Sequence, residues 1–191
     1  MRFQEDHIYI ERTLQGNLNA YGQLIQKHEK YAFTLAMRIL KNREEAEEAT
    51  QDAFLKAFHG LKTFEGNSKF TTWLYKIIYN EALGRLRKSK VHNVELNEVE
   101  ELASDSIAYL DGLKSLQLQE RKELIKQGLD AMKPVESAVL TLFYLEEQSI
   151  KEIEEIMSLT SSHVKILLHR GRKNLLESLR TITKSELIYL L

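Results

Sequence analysis

The chain contains no cysteine and only one proline among its 191 residues. Without cysteine there is no disulfide framework and no thiolate chemistry, which fits a reducing cytoplasm. Eight glycines and a single proline are also few for a β protein, which needs many turns. The expected fold class is therefore all-α.

Long apolar runs are missing as well. No stretch is long enough to span a bilayer, and the N-terminal sequence up to Gly16 is too charged for a signal peptide. We therefore expect no direct membrane insertion and a cytoplasmic location. With 43% hydrophobic and 29% charged residues, the chain can bury a core, and its length fits one large domain or two small ones.

The sequence also lacks the patterns of common enzyme sites. There is no glycine-rich phosphate loop, no His-x-x-x-His or Glu-x-x-His metal pair, and the six histidines are scattered. We accordingly expect no catalytic residue, no metal and no cofactor.

Charge is present in both signs but is segregated along the chain, although the net charge is only −1. Acidic side chains crowd one segment, at Glu44, Glu45, Glu47, Glu48 and Asp52. Basic side chains form two other groups, at Arg85, Arg87, Lys88 and Lys90 and at Arg170, Arg172 and Lys173. Because local patches set binding more than net charge does, the chain could bind DNA with some surfaces and a basic protein with others.

The segment from Ser149 to Leu175 has the pattern of a helix-turn-helix motif. Ser149 and Glu152 have the spacing of a capping box at the start of a short helix. Residues 158–160 predict a turn, after which Thr160 or Ser161 caps a longer helix.

The longer helix has two distinct sides when its residues are placed at about 100° intervals. The apolar side comprises Val164, Leu167, Leu168, Gly171 and Leu175. The polar stripe comprises Ser162, Lys165, His169 and Arg172, with Lys173 close by. A recognition helix in the major groove needs such a packing side and such a donor side. The alternative is an amphipathic hairpin with a solvated basic face.

Helical periodicity extends over most of the remaining chain. It predicts helices over residues 19–39, from the cap Asn42 along the stripe Ala46, Ala49, Ala53 and Ala57, and from the cap Ser68 to Lys90. A weaker helix is predicted over residues 5–14, and others over residues 113–132 and, opened by Pro134, over 135–145.

The segment from Val91 to Asp111 has several carboxylates but no lysine or arginine, which is typical of an acidic linker. We therefore divide the chain into two helical domains, residues 1–90 and 113–184, joined by a linker over residues 91–112. An apolar tail follows at residues 185–191, which either packs on the second domain or meets a regulator.

In this order and spacing, both domains resemble the extracytoplasmic-function sigma factors of bacterial RNA polymerase. The first half carries GNLNAY at residues 16–21, EAEEATQDAF at 45–54 and FTTWLYKI at 70–77, followed by Asn80. The second half carries LDAMKP at residues 129–134, IKEI at 150–153, Val164-Lys165 and LHRGRK at 168–173. These segments are similar to the family's regions 2 and 4.

The resemblance implies that the chain binds core RNA polymerase and directs it to promoters. It implies a polymerase surface formed by Glu48, Gln51, Asp52 and Leu55. It implies single-strand contacts with the minus-ten element by Phe64, Asn67, Ser68, Lys69, Lys76, Asn80 and Arg85. It implies duplex contacts with the minus-thirty-five element by Ser161, Ser162, Lys165, His169, Arg170, Arg172 and Lys173. An anti-sigma factor, which could be membrane-bound, is an expected partner, and the free protein is expected to be a monomer.

Several alternatives stay open on the residues alone. The acidic side of the alanine-striped helix and the loop at 64–68 could be ordinary solvated surface, and Trp73 is assigned to packing. An autonomous helix-turn-helix regulator that binds DNA without polymerase is the rival function. Three positions depart from the family pattern, Glu154 in place of alanine, Ser158 in place of glycine and Gly84 in place of aspartate, and Gly171 in a helix should cost about 1 kcal/mol.

Overall fold

The computed structural model describes residues 2–92 and 118–189, and within these ranges every regular element is helical. The helices are α1 (Arg2–Leu14), α2 (Leu18–Leu40), α3 (Arg43–Gly60), α4 (Phe70–His92), α5 (Leu118–Ala131), α6 (Pro134–Leu140), α7 (Ile150–Met157) and α8 (Ser161–Tyr189). A short 3-10 turn follows α3 at Leu61–Thr63, and a π-helical turn follows α6 at Thr141–Leu145. The all-α expectation is confirmed.

Three sequence predictions reach beyond the described residues, and one of them is the helix expected over residues 113–132, whose first five residues lie outside the described part. The acidic linker lies outside them from residue 93 onward, since α4 continues past Lys90 to His92. The tail is helical through Tyr189 as the end of α8, but the contacts expected of its apolar side chains lie outside the described part.

Side-chain caps are present at the starts of four helices, α2, α3, α7 and α8. Asn42 accepts a hydrogen bond from the Glu45 backbone N–H at 3.0 Å, as predicted, and Asn17 caps α2 in the same way through Ala20 at 3.2 Å. The predicted cap Ser68 is wrong by one residue. The Trp73 N–H bonds the Lys69 carbonyl at 3.1 Å, so Lys69 is the residue that caps α4.

Helices α1 to α4 form one unit around a continuous apolar core. All four alanines of the α3 stripe are completely buried, so α2 and α4 can approach α3 closely. Leu24 and Leu35 of α2 and Leu74 and Ile78 of α4 fill the centre. The Tyr21 hydroxyl donates to the Phe54 carbonyl at 2.5 Å, and burial raises the pKa of Tyr21 to about 12.

Helix α1 is fastened to α2 by a buried carboxylate. Asp6 is 3% exposed and lies 2.8 Å from the Lys27 ammonium and 3.2 Å from His28 Nε2. Burial alone would raise the pKa of Asp6, but the hydrogen bonds and charges of His28 and Lys27 outweigh it and lower the pKa below its usual value. The ionised form is therefore stabilised by folding, so this stabilisation is complete above the unfolded pKa of about 3.9 and is lost as pH falls through the folded value.

Asp6→Asn should lower the free energy of unfolding at pH 7 by about 1–3 kcal/mol, because it removes the buried carboxylate that Lys27 and His28 contact. Denaturant melts should show that the difference in stability from the natural protein narrows below about pH 4, where Asp6 of the unfolded chain begins to be protonated. Glu11→Gln, at an exposed position of the same helix, is the control. Equal stability of Asp6→Asn and the natural protein at pH 7 would contradict this assignment.

Helices α5 to α8 form a second unit in which glycine permits two close approaches. A Cβ on Gly128 would lie 2.9 Å from Leu175 Cδ1 and 2.9 Å from Leu179 Cδ2. A Cβ on Gly171 would lie 3.2 Å from Leu140 Cγ. Gly171 therefore serves the packing of α8 on α6, a benefit that offsets the helix-propensity cost expected from sequence.

The two units pack against each other, α7 on α4 and α6 on α2. Polar contacts cross this interface: Lys69 pairs with Glu152 at 2.6 Å, and the Tyr75 hydroxyl donates to Glu146 at 2.8 Å. On the other side Arg38 pairs with Asp130. These contacts join residues more than 70 positions apart in the sequence.

Candidate nucleic-acid and polymerase interfaces

The outer surface of α8 carries the predicted recognition stripe. Val164, Leu167, Leu168 and Gly171 are buried, as expected of the packing side. The exposed side carries Ser162, Lys165, His169, Arg172 and Lys173. A single face of this helix therefore offers hydroxyl, imidazole, ammonium and guanidinium donors without an intervening carboxylate.

The turn between α7 and α8 keeps its geometry despite the unusual residues. Ser158 adopts the left-handed conformation, with φ of 54°, and its N–H bonds the Glu154 carbonyl. A non-glycine residue pays about 1–2 kcal/mol for that conformation. The capping box of Ser149 and Glu152 is formed as predicted, and of the two candidate caps for α8 it is Thr160 whose hydroxyl accepts the His163 N–H, at 3.4 Å.

Glu154 is half-buried beside this turn rather than fully solvated. Its carbonyl accepts the N–H groups of Ser158 and Leu159, the latter at 3.1 Å, so the backbone at this departure from the family pattern closes α7 in the ordinary way. Ser161 begins α8 and is half-buried, at the edge of the exposed stripe.

Arg170 forms an ion pair within the protein that the sequence did not suggest. Glu136 of α6 is 1% exposed, yet its two carboxylate oxygens lie 2.5 Å from Arg170 Nε and 2.7 Å from Asn174 Nδ2. These contacts hold Arg170 toward α6, away from the centre of the exposed stripe. Of the seven residues expected on the duplex-facing surface, Arg170 is the one the structure sets apart.

Glu136→Ala should destabilise the α6–α8 packing by about 2–3 kcal/mol, because it leaves Arg170 and Asn174 without their buried acceptor. For a chain of this size, this corresponds to a fall of about 5–10 °C in the melting temperature, measured by circular dichroism. Glu155→Ala, at an exposed position of α7, should change it little. A melting temperature unchanged by Glu136→Ala would show that the buried carboxylate stabilises nothing.

One exposed residue of α8 was missed by the sequence reasoning. Ile166 is 60% exposed, and at about 100° per residue it lies about 60° from His169, on the side of the helix opposite Val164 and Leu168. An isoleucine at that position could have been found from the helical spacing, since it falls on the polar stripe where an apolar residue gains nothing from packing. An exposed apolar group among donors suits contact with a thymine methyl in the major groove.

The loop between α3 and α4 is anchored by an aromatic cluster. The Phe64 ring centroid lies 5.2 Å from that of Trp73 and 5.9 Å from that of Phe70. Trp73 packs against this core, as expected. Beyond Phe64 the loop turns outward, with Gly66 at φ of 74° and an exposed Asn67 whose side-chain amide bonds Glu65 at 2.8 Å.

The basic and amide residues of α4 lie on two different sides of the helix. At about 100° per residue, Lys76 and Asn80 fall within about 20° of Arg87, whereas Arg85 falls about 160° away. Asn80 and Arg87 are exposed and Lys76 is half-buried. Arg87, which was not among the predicted site residues, therefore shares the stripe with Lys76 and Asn80, and Arg85 does not.

Arg85 instead faces the acidic side of α3. Its guanidinium bonds Glu48 at 2.9 Å, Glu81 at 3.2 Å and Asp52. The hydrogen bond to Glu48, with those to Glu81 and Asp52, raises the pKa of Arg85 above its usual value, against the opposing effect of burial. The four residues expected to face polymerase are available on this side of α3: Glu48, Gln51 and Leu55 are exposed, and the Asp52 side chain is 47% exposed.

Relatives of known family share both units of the chain. The family model of sigma-70 region 2 matches residues 24–91, and that of sigma-70 region 4 matches residues 122–175. The chain is 31% identical to the ECF RNA polymerase sigma factor SigW of Bacillus subtilis (strain 168), over 91% of this chain and 96% of that protein. It belongs to the ECF family of RNA polymerase sigma factors. A second relative, the RNA polymerase sigma factor YlaC of the same organism, is 32% identical over 86% of this sigma factor and 91% of its own length.

Solved structures share the fold of this sigma factor. CnrH, in its complex with the cytosolic domain of CnrY, aligns with a TM-score of 0.63 at 20% identity, over 93% of this chain and 98% of that one. The sigma factor RpoE of Bartonella quintana, in complex with the anti-sigma factor NepR, aligns with a TM-score of 0.61 at 22% identity, over 84% of this chain and 96% of that one.

The part of this sigma factor that the structure describes contains no cluster of three or more histidine, aspartate or glutamate side chains that could hold a metal ion. In the same residues, no helix is both long and apolar enough to cross a membrane.

Proposed function

We propose that this sigma factor docks on core RNA polymerase through the exposed side of α3, captures the melted minus-ten strand at the α3–α4 loop and α4, and reads the minus-thirty-five duplex with α8. The observation that carries the proposal is the continuous donor face of α8 on a capped helix-turn-helix, in a chain of the sigma family. In domain terms, region 2 spans residues 1–90, the linker 91–112 and region 4 residues 113–184, followed by the tail 185–191.

The aromatic-anchored loop supports the minus-ten assignment. A flipped base needs a pocket that combines stacking with hydrogen bonds to its edge, and Phe64 beside Asn67 and Ser68 offers both kinds of group. Phosphates would be held by the stripe of Lys76 and Arg87, with Asn80 between them. Lys69 can join them only when its ion pair with Glu152 is exchanged for a phosphate.

The position of each donor along α8 supports a division of labour. Ser162 and Lys165 lie near the start of the helix, where side chains reach base edges when a recognition helix enters the major groove. Ile166 adds an apolar contact for a thymine methyl. Arg172 and Lys173 lie about two turns farther on, where they would mainly hold phosphates.

Lys165→Ala should change the preferred upstream sequence, at about 1–3 kcal/mol for a good base contact. Arg172→Ala should weaken all promoters about equally and reduce the slope of log affinity against log salt by about one. The measurement is binding of holoenzyme to a library of minus-thirty-five variants at several salt concentrations. If Lys165→Ala left the sequence preference intact, α8 would have to dock in another orientation.

Family membership also supports an anti-sigma factor as the regulatory partner. Because polymerase and promoters are in the cytoplasm, we propose that this sigma factor acts there. The experiment that tests the function is transcription in vitro with purified core polymerase, followed by sequencing of the transcript starts. Specific starts that require both proteins are expected. Promoter binding of equal affinity with and without polymerase would favour the autonomous regulator.

A further inference from the structure

Arg85 is the one cation of α4 that bridges two helices through carboxylates in the described structure. It bonds Glu81 on its own helix, one turn earlier, and reaches across to Glu48 and Asp52 on α3. Lys56 on α3 completes the group by pairing with Glu81. Each arm of the guanidinium is thus occupied by a carboxylate, in a fork geometry that only arginine provides.

This cluster coincides with the surface proposed to face polymerase. Glu48 is 68% exposed and Asp52 is 47% exposed even while both bond Arg85, so each carboxylate keeps oxygen lone pairs directed to solvent. Leu55, one turn along α3 from Asp52, is 59% exposed. The cluster and the leucine together form an acidic surface beside an apolar anchor, which suits a basic protein surface.

We propose that Arg85 is a positioning residue of the polymerase-docking surface: it holds the Glu48 and Asp52 carboxylates in the orientation that accepts basic side chains of the polymerase. This inference rests on the proposed function and deepens it. It also moves Arg85 from the minus-ten strand, where the sequence analysis put it, to the opposite side of α4. Orientation matters because two flexible exposed carboxylates lose side-chain entropy when a partner fixes them, and Arg85 fixes them beforehand.

Removing Arg85 should change the affinity for polymerase in opposite directions, depending on whether Arg85 positions the carboxylates or acts only through its charge. Arg85→Gln makes the surface more negative, so attraction by net charge alone predicts tighter binding to a basic partner. Positioning predicts weaker binding, by about three- to tenfold, since each exposed pair contributes modestly. The fold should persist because α3 and α4 are joined mainly by the buried alanine stripe.

The experiment compares Arg85→Gln with Arg87→Gln, the same substitution two residues along the same helix on the other side. Affinity for core polymerase is measured by titration of a labelled sigma factor, and affinity of the assembled holoenzyme for a promoter fork carrying single-stranded minus-ten sequence is measured separately. Arg85→Gln should weaken only the first and Arg87→Gln only the second. The reverse pattern, or unchanged or tighter polymerase binding by Arg85→Gln, would overturn the proposal.

Two further variants keep the result interpretable. Arg85→Lys keeps the charge but cannot bridge both helices with a planar fork, so it should recover only part of the lost affinity. In a Glu48→Gln and Asp52→Asn background, Arg85→Gln should cause no additional loss, because the groups it positions are gone. Full additivity there would mean that Arg85 acts by another route.

A reference variant separates this inference from the proposed function. If Asp52→Lys with Leu55→Ala leaves polymerase affinity intact, the docking surface itself is wrong, and the inference falls with it. If that variant loses affinity while Arg85→Gln does not, the surface stands and only the positioning role is wrong.

Discussion

Asp52→Lys combined with Leu55→Ala should weaken binding to core RNA polymerase by about a hundredfold and abolish transcription at ordinary protein concentrations. The change reverses a carboxylate on the docking surface and removes the exposed apolar anchor beside it. A hundredfold loss corresponds to about 2.7 kcal/mol, which a truncated apolar contact and an opposed charge can cost together at an interface. Titration with labelled core polymerase measures the affinity, and circular dichroism checks that the helices remain.

The chain offers a matched control on another helix. Glu11 and Leu14 of α1 are both exposed and have the same three-residue spacing as Asp52 and Leu55. Glu11→Lys with Leu14→Ala therefore makes the same changes of charge and apolar area at a surface assigned to neither partner. Equal losses from the two double variants would mean that the effect comes from charge in general and not from a docking surface on α3.

A triple variant of the loop between α3 and α4 should reduce transcription from duplex promoters by about ten- to a hundredfold, with polymerase affinity unchanged. Its substitutions are Glu65→Ser, Asn67→Gly and Ser68→Gly. Phe64 is retained because it packs against Phe70 and Trp73, and Gly66 because of its positive φ. The variant thus removes the polar groups offered to a flipped base, a contribution of about 1–3 kcal/mol, without disturbing the core.

Permanganate footprinting of unpaired thymines measures the melting step in this loop variant. A promoter with a pre-melted minus-ten bubble should recover part of the lost activity, since the unstacking energy no longer has to be supplied by the protein. Normal melting of the duplex promoter by the variant would reduce the loop to a connector between α3 and α4.

The all-α class and most helix starts could be predicted because their causes are local. The alanine stripe of α3 and the apolar side of α8 repeat at the helical period, and all of these residues are buried except Leu175, which is partly buried against the core. Asn42 and Ser149 cap their helices through groups only three residues away, which a sequence displays directly. The Ser68 cap failed by one residue because Ser68 and Lys69 are neighbours at a loop end, and a residue's suitability as a cap does not decide where the chain turns.

The sequence predicted which surfaces form the candidate sites, but it did not predict which side chains within them form ion pairs. Exposure of the α8 stripe and of the α3 acidic side follows from their helical faces. Arg85 and Arg170 were assigned to DNA as members of basic groups, but each is held by carboxylates at least 33 residues away in the chain, at Asp52 and Glu136. Proximity in sequence cannot show which carboxylate an arginine side chain will reach.

The sequence by itself determined the helices, their buried sides, the helix-turn-helix and the sigma-family resemblance, because these depend on residue type at short, regular spacing. Only the tertiary structure decided how the two units pack, and with it the pairing of Lys69 with Glu152 and of Arg38 with Asp130. It alone showed that Gly171 lets α8 approach Leu140, and that Arg85 bonds Glu48 and Asp52 of α3. Such contacts depend on the relative positions of whole helices, which are set by the sum of many weak packing interactions rather than by any local signal.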